Sequence, residues 1–138
     1  MKPLGIYLHV PFCIQKCRYC DFLSAPACGE VRRAYLDALK REIASRTEEL
    51  KRYSIHSLYI GGGTPSILSP EEFGEIARTL RAHTGIWQED AERTIEANPG
   101  TVTEEKAQAW RAWGMNRVSM GMQAAQNRLL QILGRIHT

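Results

Sequence analysis

Tyr7-Leu8-His9-Val10-Pro11-Phe12-Cys13-Ile14-Gln15-Lys16-Cys17-Arg18-Tyr19-Cys20-Asp21-Phe22 is the stretch whose reading decides the fold. It opens apolar and β-prone, and Pro11 ends the run by removing a backbone donor. Cys13, Cys17 and Cys20 then follow at spacings of four and three, on what reads as a loop. Three soft ligands from one short piece of backbone suit soft metals and iron–sulfur clusters, whose irons accept thiolate far better than carboxylate or amide. An iron–sulfur cube needs one ligand more, so one iron is left for something other than cysteine. On spacing alone a structural zinc site stays open. Such a site takes four ligands, often from two separated pairs, and only Cys28 or His9 could complete one here. A disulfide framework fits less well, because no apolar signal-peptide core opens the chain and it is not a short, cysteine-dense secreted scaffold. Cys28 lies outside the pattern and reads as a bystander thiol.

Working outward, the 138-residue chain is 43% hydrophobic and 24% charged, as expected of one soluble globular domain. A net charge of +3 is too slight to argue for nucleic acid or an anionic membrane, and no apolar run is long enough to insert into one. Free cysteines arranged as ligands point to a reducing, cytoplasmic location.

Leu4 to Val10 suits a first parallel strand covered on both faces. A helix is expected from about Val31 to Lys51, with Leu36, Leu39, Ile43 and Leu50 on its buried stripe. His56 to Ile60 reads as a second strand. It runs straight into Gly61-Gly62-Gly63-Thr64-Pro65, a backbone left bare of side chains where a ligand can approach; no lysine follows in the register of a phosphate loop. Ser69-Pro70-Glu71-Glu72 carries a helix start, with Phe73, Ile76, Ala77 and Leu80 on one face. Thr94 to Ala97 reads as a third strand that places Glu96 beside Asn98-Pro99-Gly100 at its C-terminal end. Thr101 or Thr103 can cap a third helix with Ala107, Trp110 and Trp113 inward and Gly114 at its close. Asn116 to Gln123 reads as a fourth strand, with Val118, Met120 and Met122 on one face, and Ala124 to Leu133 as a fourth helix. Strand and helix alternate, so the class is α/β with a parallel, right-handed arrangement. The unusual residues all follow strands, where loops converge on a common mouth.

With these words in place, the Cys13, Cys17 and Cys20 motif resembles the cluster loop of radical S-adenosylmethionine (SAM) enzymes. More narrowly, it is similar to the branch of coproporphyrinogen III dehydrogenases and HemW-type haem chaperones. Gly61 to Pro65, Glu96 to Gly100, Arg117 to Gln123 and Gly134-Arg135-Ile136-His137 extend the resemblance over almost the whole chain. The resemblance implies a partial (β/α)6 TIM-like barrel, here about its first four βα units, with a [4Fe-4S] cluster on the three cysteines. The open iron would be chelated by SAM, and an electron from the cluster would cleave the sulfonium to a 5′-deoxyadenosyl radical. It also implies SAM contacts from Tyr7, Tyr19, Gly62, Gly63, Thr64, Glu96, Gln123 and Arg135, with the glycine main chain receiving the SAM amino group. His137 receives no role.

The resemblance further implies that residues 1–138 are the N-terminal portion of such a core and that a C-terminal region is absent. Haem binding would then need that absent region. A SAM-dependent oxidase converting propionates to vinyls, a haem chaperone, and a cluster-holding remnant without turnover all stand as readings. Partners implied are SAM, haem or a porphyrinogen, an electron donor protein and a haem acceptor. Phe22 stands where the dehydrogenases commonly carry a further cysteine, which is the pattern of the HemW-like branch. Ala124-Ala125 departs from the family's Ser-Phe or Asp-Phe after Gln123 and removes an aromatic near the site.

Overall fold

The computed structural model describes residues 1–13, 25–26 and 29–120. The strands are β1 (Lys2–Val10), β2 (Phe12–Cys13), β3 (Ala25–Pro26), β4 (Tyr53–Gly62), β5 (Trp87–Ala97) and β6 (Arg117–Met120). The helices are α1 (Gly29–Ser45), α2 (Thr47–Leu50), α3 (Pro70–His83) and α4 (Glu104–Ala112). Four strands form one sheet in the order β1-β4-β5-β6, all parallel, and β2 pairs with β3 as a separate two-stranded ribbon. Neighbours in the main sheet follow one another along the chain, as successive βα units require.

Alternation along the strands separates two faces. Leu8, Val10, Leu58, Ile60, Ile95 and Val118 point one way and join Leu36 and Ile43 of α1, Phe73, Ile76 and Leu80 of α3 and Trp110 of α4 in one apolar core. The opposite face carries Tyr7, Tyr59 and Glu96, and Tyr7 is 57% exposed. The expected cover on both faces of β1 is therefore corrected: among the described residues the apolar cluster takes one face of the sheet. The run from Leu4 to Val10 is mostly apolar and β-prone, but tyrosine favours a strand whatever face it occupies, so Tyr7 gives no sign of which face is covered.

Two other expectations shift. The helix expected from Val31 to Lys51 breaks at Arg46 into α1 and α2, where Ser45 and Thr47 hydroxyls bond back to the carbonyls of Glu42 and Ala44. Strand β5 starts at Trp87 rather than Thr94, its polar first half being held partly by Asn116. That side chain accepts from Arg93 N at 2.8 Å and donates to Ala91 O at 2.9 Å. Of the two candidate caps of α4, the structure selects Thr103, which accepts from Lys106 N at 3.1 Å. The start of α3 is as read: Ser69 and Glu72 form a reciprocal capping box at 2.9 and 3.1 Å. Gly114 closes the α4 turn with a φ of 96°, a left-handed conformation that favours glycine.

Candidate functional site

The site is built where β1, β4 and β5 end. Tyr35 on α1 donates to the His9 carbonyl and meets Phe12 edge-on at 5.3 Å, which fixes the exit of β1. Immediately beyond, Gly63 N donates to Val10 O at 2.9 Å and Thr64 N to Phe12 O at 2.6 Å. The glycine segment is thus laced to the backbone that leads into Cys13. Cys13 in turn pairs with Pro26 across the ribbon, so the backbone of Phe12–Cys13 lies beside that of Ala25–Pro26.

Glu96 closes the arrangement from β5. Its Oε1 accepts from Gly62 N at 2.9 Å and its Oε2 from the Tyr59 hydroxyl at 2.7 Å. The glycines are explained partly by this carboxylate. A Cβ on Gly61 would lie 2.7 Å from Glu96 Oε1, and one on Gly62 would lie 2.7 Å from Val10 O, with φ at +123°. The bare backbone expected to admit a ligand therefore first admits the protein's own glutamate. Tyr7 stacks on Tyr59 with centroids 6.0 Å apart and planes 18° from parallel, and its hydroxyl bonds His9 Nδ1 at 3.0 Å. The hydrogen bond to Glu96 and burial push the Tyr59 phenol up, against opposing pulls from Ser119 and Arg117. Burial, with Glu96 nearby, does the same to Tyr7.

The turns after β4 and β5 are stapled together beneath this mouth. Ser66, fully buried in the turn Pro65–Ile67, bonds the Thr101 hydroxyl and accepts from Asn98 N at 3.0 Å. Lys106 Nζ donates to Ser66 O at 2.8 Å and to Thr101 O at 3.0 Å, and burial together with the Arg32 charge lowers its pKa. No sequence signal marked Ser66, Thr101 or Lys106 as partners, because they meet only through the fold. Tyr59 was missed for another reason: it sits in an apolar strand word, and only the bare position at Gly61 hints that something polar reaches across.

Of the residues expected at the site, the structure brings together Tyr7, Gly62, Gly63, Thr64, Glu96 and the backbone of Cys13. Cys17, Cys20, Tyr19, Gln123 and Arg135 lie outside the described residues, as do Phe22, Cys28, Met122, Ala124 to Leu133 and His137. Among the described residues no three His, Cys, Asp or Glu side chains group to hold a metal, and no helix is long and apolar enough to cross a membrane. A thiol-bearing segment anchored beside an oriented carboxylate and tethered glycines fits a thiolate-held cluster next to a ligand with a cationic end.

Residues 7–138 match the family model described as the Radical SAM superfamily. Heme chaperone HemW of Escherichia coli is 38% identical over 99% of this chain and 36% of its own length. Heme chaperone HemW of Haemophilus influenzae is 35% identical over 99% and 37%, and that of Mycobacterium tuberculosis 39% over 99% and 36%. The chain thus spans about a third of the length of these curated relatives. The solved structure of the coproporphyrinogen III oxidase HemN from Escherichia coli, described as a radical SAM enzyme, superposes with a TM-score of 0.81 at 31% identity. It covers 97% of this chain and 31% of that one, so the described sheet and helices are part of a TIM-like radical SAM fold.

Proposed function

The chain belongs to the Radical SAM superfamily, and from that premise we propose that it is the cluster- and SAM-binding part of a HemW-like haem chaperone. Residues 1–138 would supply about the first four βα units of the core. Cys13, Cys17 and Cys20 hold the [4Fe-4S] cluster in this reading, and Tyr7, Tyr19, Gly62, Gly63, Thr64, Glu96, Gln123 and Arg135 hold SAM. When bound, the cluster and SAM supply one-electron chemistry at the sulfonium. The chain's own residues orient the ligand. Glu96 offers a fixed carboxylate to its amino group, the Gly61–Thr64 backbone shapes the floor, and the Val10 and Phe12 carbonyls keep that floor against the cysteine segment. The observation that carries the reading is the lacing of Gly63 and Thr64 to the Val10 and Phe12 carbonyls, the backbone that leads into Cys13, with Glu96 on Gly62 at the same mouth.

The chaperone is favoured by the recurrence of HemW among the similar proteins and by Phe22 in the cluster motif. Haem, an electron donor and a haem acceptor would be partners of the longer protein, in the cytoplasm. The likeness to HemN supports the second reading, an oxygen-independent coproporphyrinogen III oxidase acting on propionates.

Anaerobic reconstitution with iron and sulfide tests the proposal. Four irons and four sulfides per chain, lost in Cys17→Ala and kept in Cys28→Ala, are expected. Retained zinc, or equal loss in both variants, contradicts it. Haem titration of this chain against a longer version separates chaperone from oxidase, with haem uptake expected in the longer version and SAM-dependent porphyrinogen decarboxylation there favouring the oxidase.

A further inference from the structure

Glu96 is held more tightly than a strand-end glutamate needs to be. Left in water at the end of β5, a carboxylate costs nothing, yet each of its oxygens has a dedicated donor, and both donors come from β4. Tyr59 supplies one of them at 2.7 Å, two residues before the glycine that clears space for the carboxylate. The phenol is itself fixed, stacked on Tyr7 at 6.0 Å and contacted by Ser119 from β6. An ionised carboxylate has about four acceptor sites, so these two donors leave room for a further one. Orienting the group beforehand spares a ligand the cost of ordering it.

We propose that Tyr59 is a positioning residue. Its hydroxyl locks Glu96 in the one rotamer from which the carboxylate receives the ammonium group of an amino-acid moiety at the sheet mouth. The inference rests on the reading that this mouth binds SAM, whose methionine end carries that ammonium. Tyr59 touches no ligand in this scheme and acts only through Glu96. That dependence makes a double-mutant cycle the decisive measurement.

Equilibrium dialysis of labelled SAM against the anaerobically reconstituted chain gives the affinity of wild type, Tyr59→Phe, Glu96→Ala and the double variant. Tyr59→Phe keeps the stacked ring and removes one charge-assisted hydrogen bond, so a loss of about tenfold is expected. In the Glu96→Ala background the same change is expected to do nothing beyond about twofold. Equal losses in both backgrounds, or no loss in the wild-type background, overturn the inference. A second readout needs no SAM: by alkaline absorbance titration, Glu96→Gln is expected to bring one tyrosine back toward its ordinary range, and an unchanged titration counts against the contact. A wild-type chain that assembles the cluster but fails to bind SAM defeats instead the reading on which the inference rests.

Discussion

Replacing Gly61 with alanine would place a methyl carbon 2.7 Å from Glu96 Oε1 and 3.1 Å from its Cδ, well inside the ~3.5 Å at which nonbonded atoms attract best. The Gly61 backbone itself tolerates alanine, since among the described glycines positive φ occurs at Gly62 and Gly114 and not at Gly61. The strain therefore falls on the carboxylate, which must leave the Gly62 amide and the Tyr59 hydroxyl, and on the Tyr59 ring, whose Cε1 would lie 2.9 Å from the added carbon. Hydrogen bonds to a charged group are worth roughly 1.5–3 kcal/mol each. Water reaches the half-buried Glu96 and replaces part of that, and alanine recovers about 0.5 kcal/mol by restricting the unfolded chain. A net loss of about 2 kcal/mol follows, or a Tm lower by roughly 7 °C for a chain of this size. Urea unfolding followed by circular dichroism measures it. In the Glu96→Ala background the loss is expected to shrink by at least ~1 kcal/mol, because the obstructing oxygen is gone. Gly62→Ala provides the contrast: its obstacle is the Val10 carbonyl and its φ is +123°, so Glu96→Ala brings no rescue. An unchanged stability for Gly61→Ala, or a loss that ignores Glu96→Ala, would refute this account of the glycines.

Other outcomes follow from the same contacts. The Tyr59 phenol, pushed up chiefly by its bond to Glu96, contributes stability that is complete below its ordinary value of 10.0 and is lost as pH rises through the folded value; Tyr59→Phe should therefore flatten the alkaline limb of a stability–pH curve. Arg33 and Lys40 hold the Glu75 carboxyl down at about 2, so its contribution is present above 4.5 and disappears as pH falls toward 2. Glu75→Gln should remove that part of the acid limb, by no more than about 1 kcal/mol and less in high salt, as measured by urea midpoints at stepped pH. Trp110 is 1% exposed, and its indole nitrogen has no partner among the described residues. Trp110→Ala should cost about 3–5 kcal/mol, and Trp110→Phe much less, because no hydrogen bond is lost; comparable losses for both in thermal unfolding would contradict the packing described.

Much of the fold was legible because burial and periodicity coincide. Val10, Ile60 and Ile95 sit in short apolar words next to punctuation by Pro11, Gly61 and Asn98, so strand exits could be placed almost to the residue. The Ser69–Glu72 capping box was legible for the same reason, being local. The beginning of β5 was not, because Gln88-Glu89-Asp90 is polar and falls in an irregularity of the β4–β5 pairing, between the Ile55–Trp87 and Ser57–Glu92 partners, which no local pattern announces. Tyr7 illustrates the limit on faces: a β-prone tyrosine fits a strand whether it points at helices or away from them. At the site, Glu96 and the glycines were visible as motif words, but their mutual fit was not. It depends on β4 and β5 lying side by side, which brings residues 34 to 37 positions apart within hydrogen-bonding distance, Tyr59 and Ser66 included.

The central claim is that three cysteines leave one iron of a cluster open to SAM. Electron paramagnetic resonance of the anaerobically reconstituted, chemically reduced chain tests it most directly, recorded before and after SAM is added. A reduced [4Fe-4S] signal is expected that changes shape on addition and acquires coupling to nitrogen when the SAM amino group is isotopically labelled. A cluster signal that SAM leaves untouched, or a chain that assembles no cluster, would contradict it.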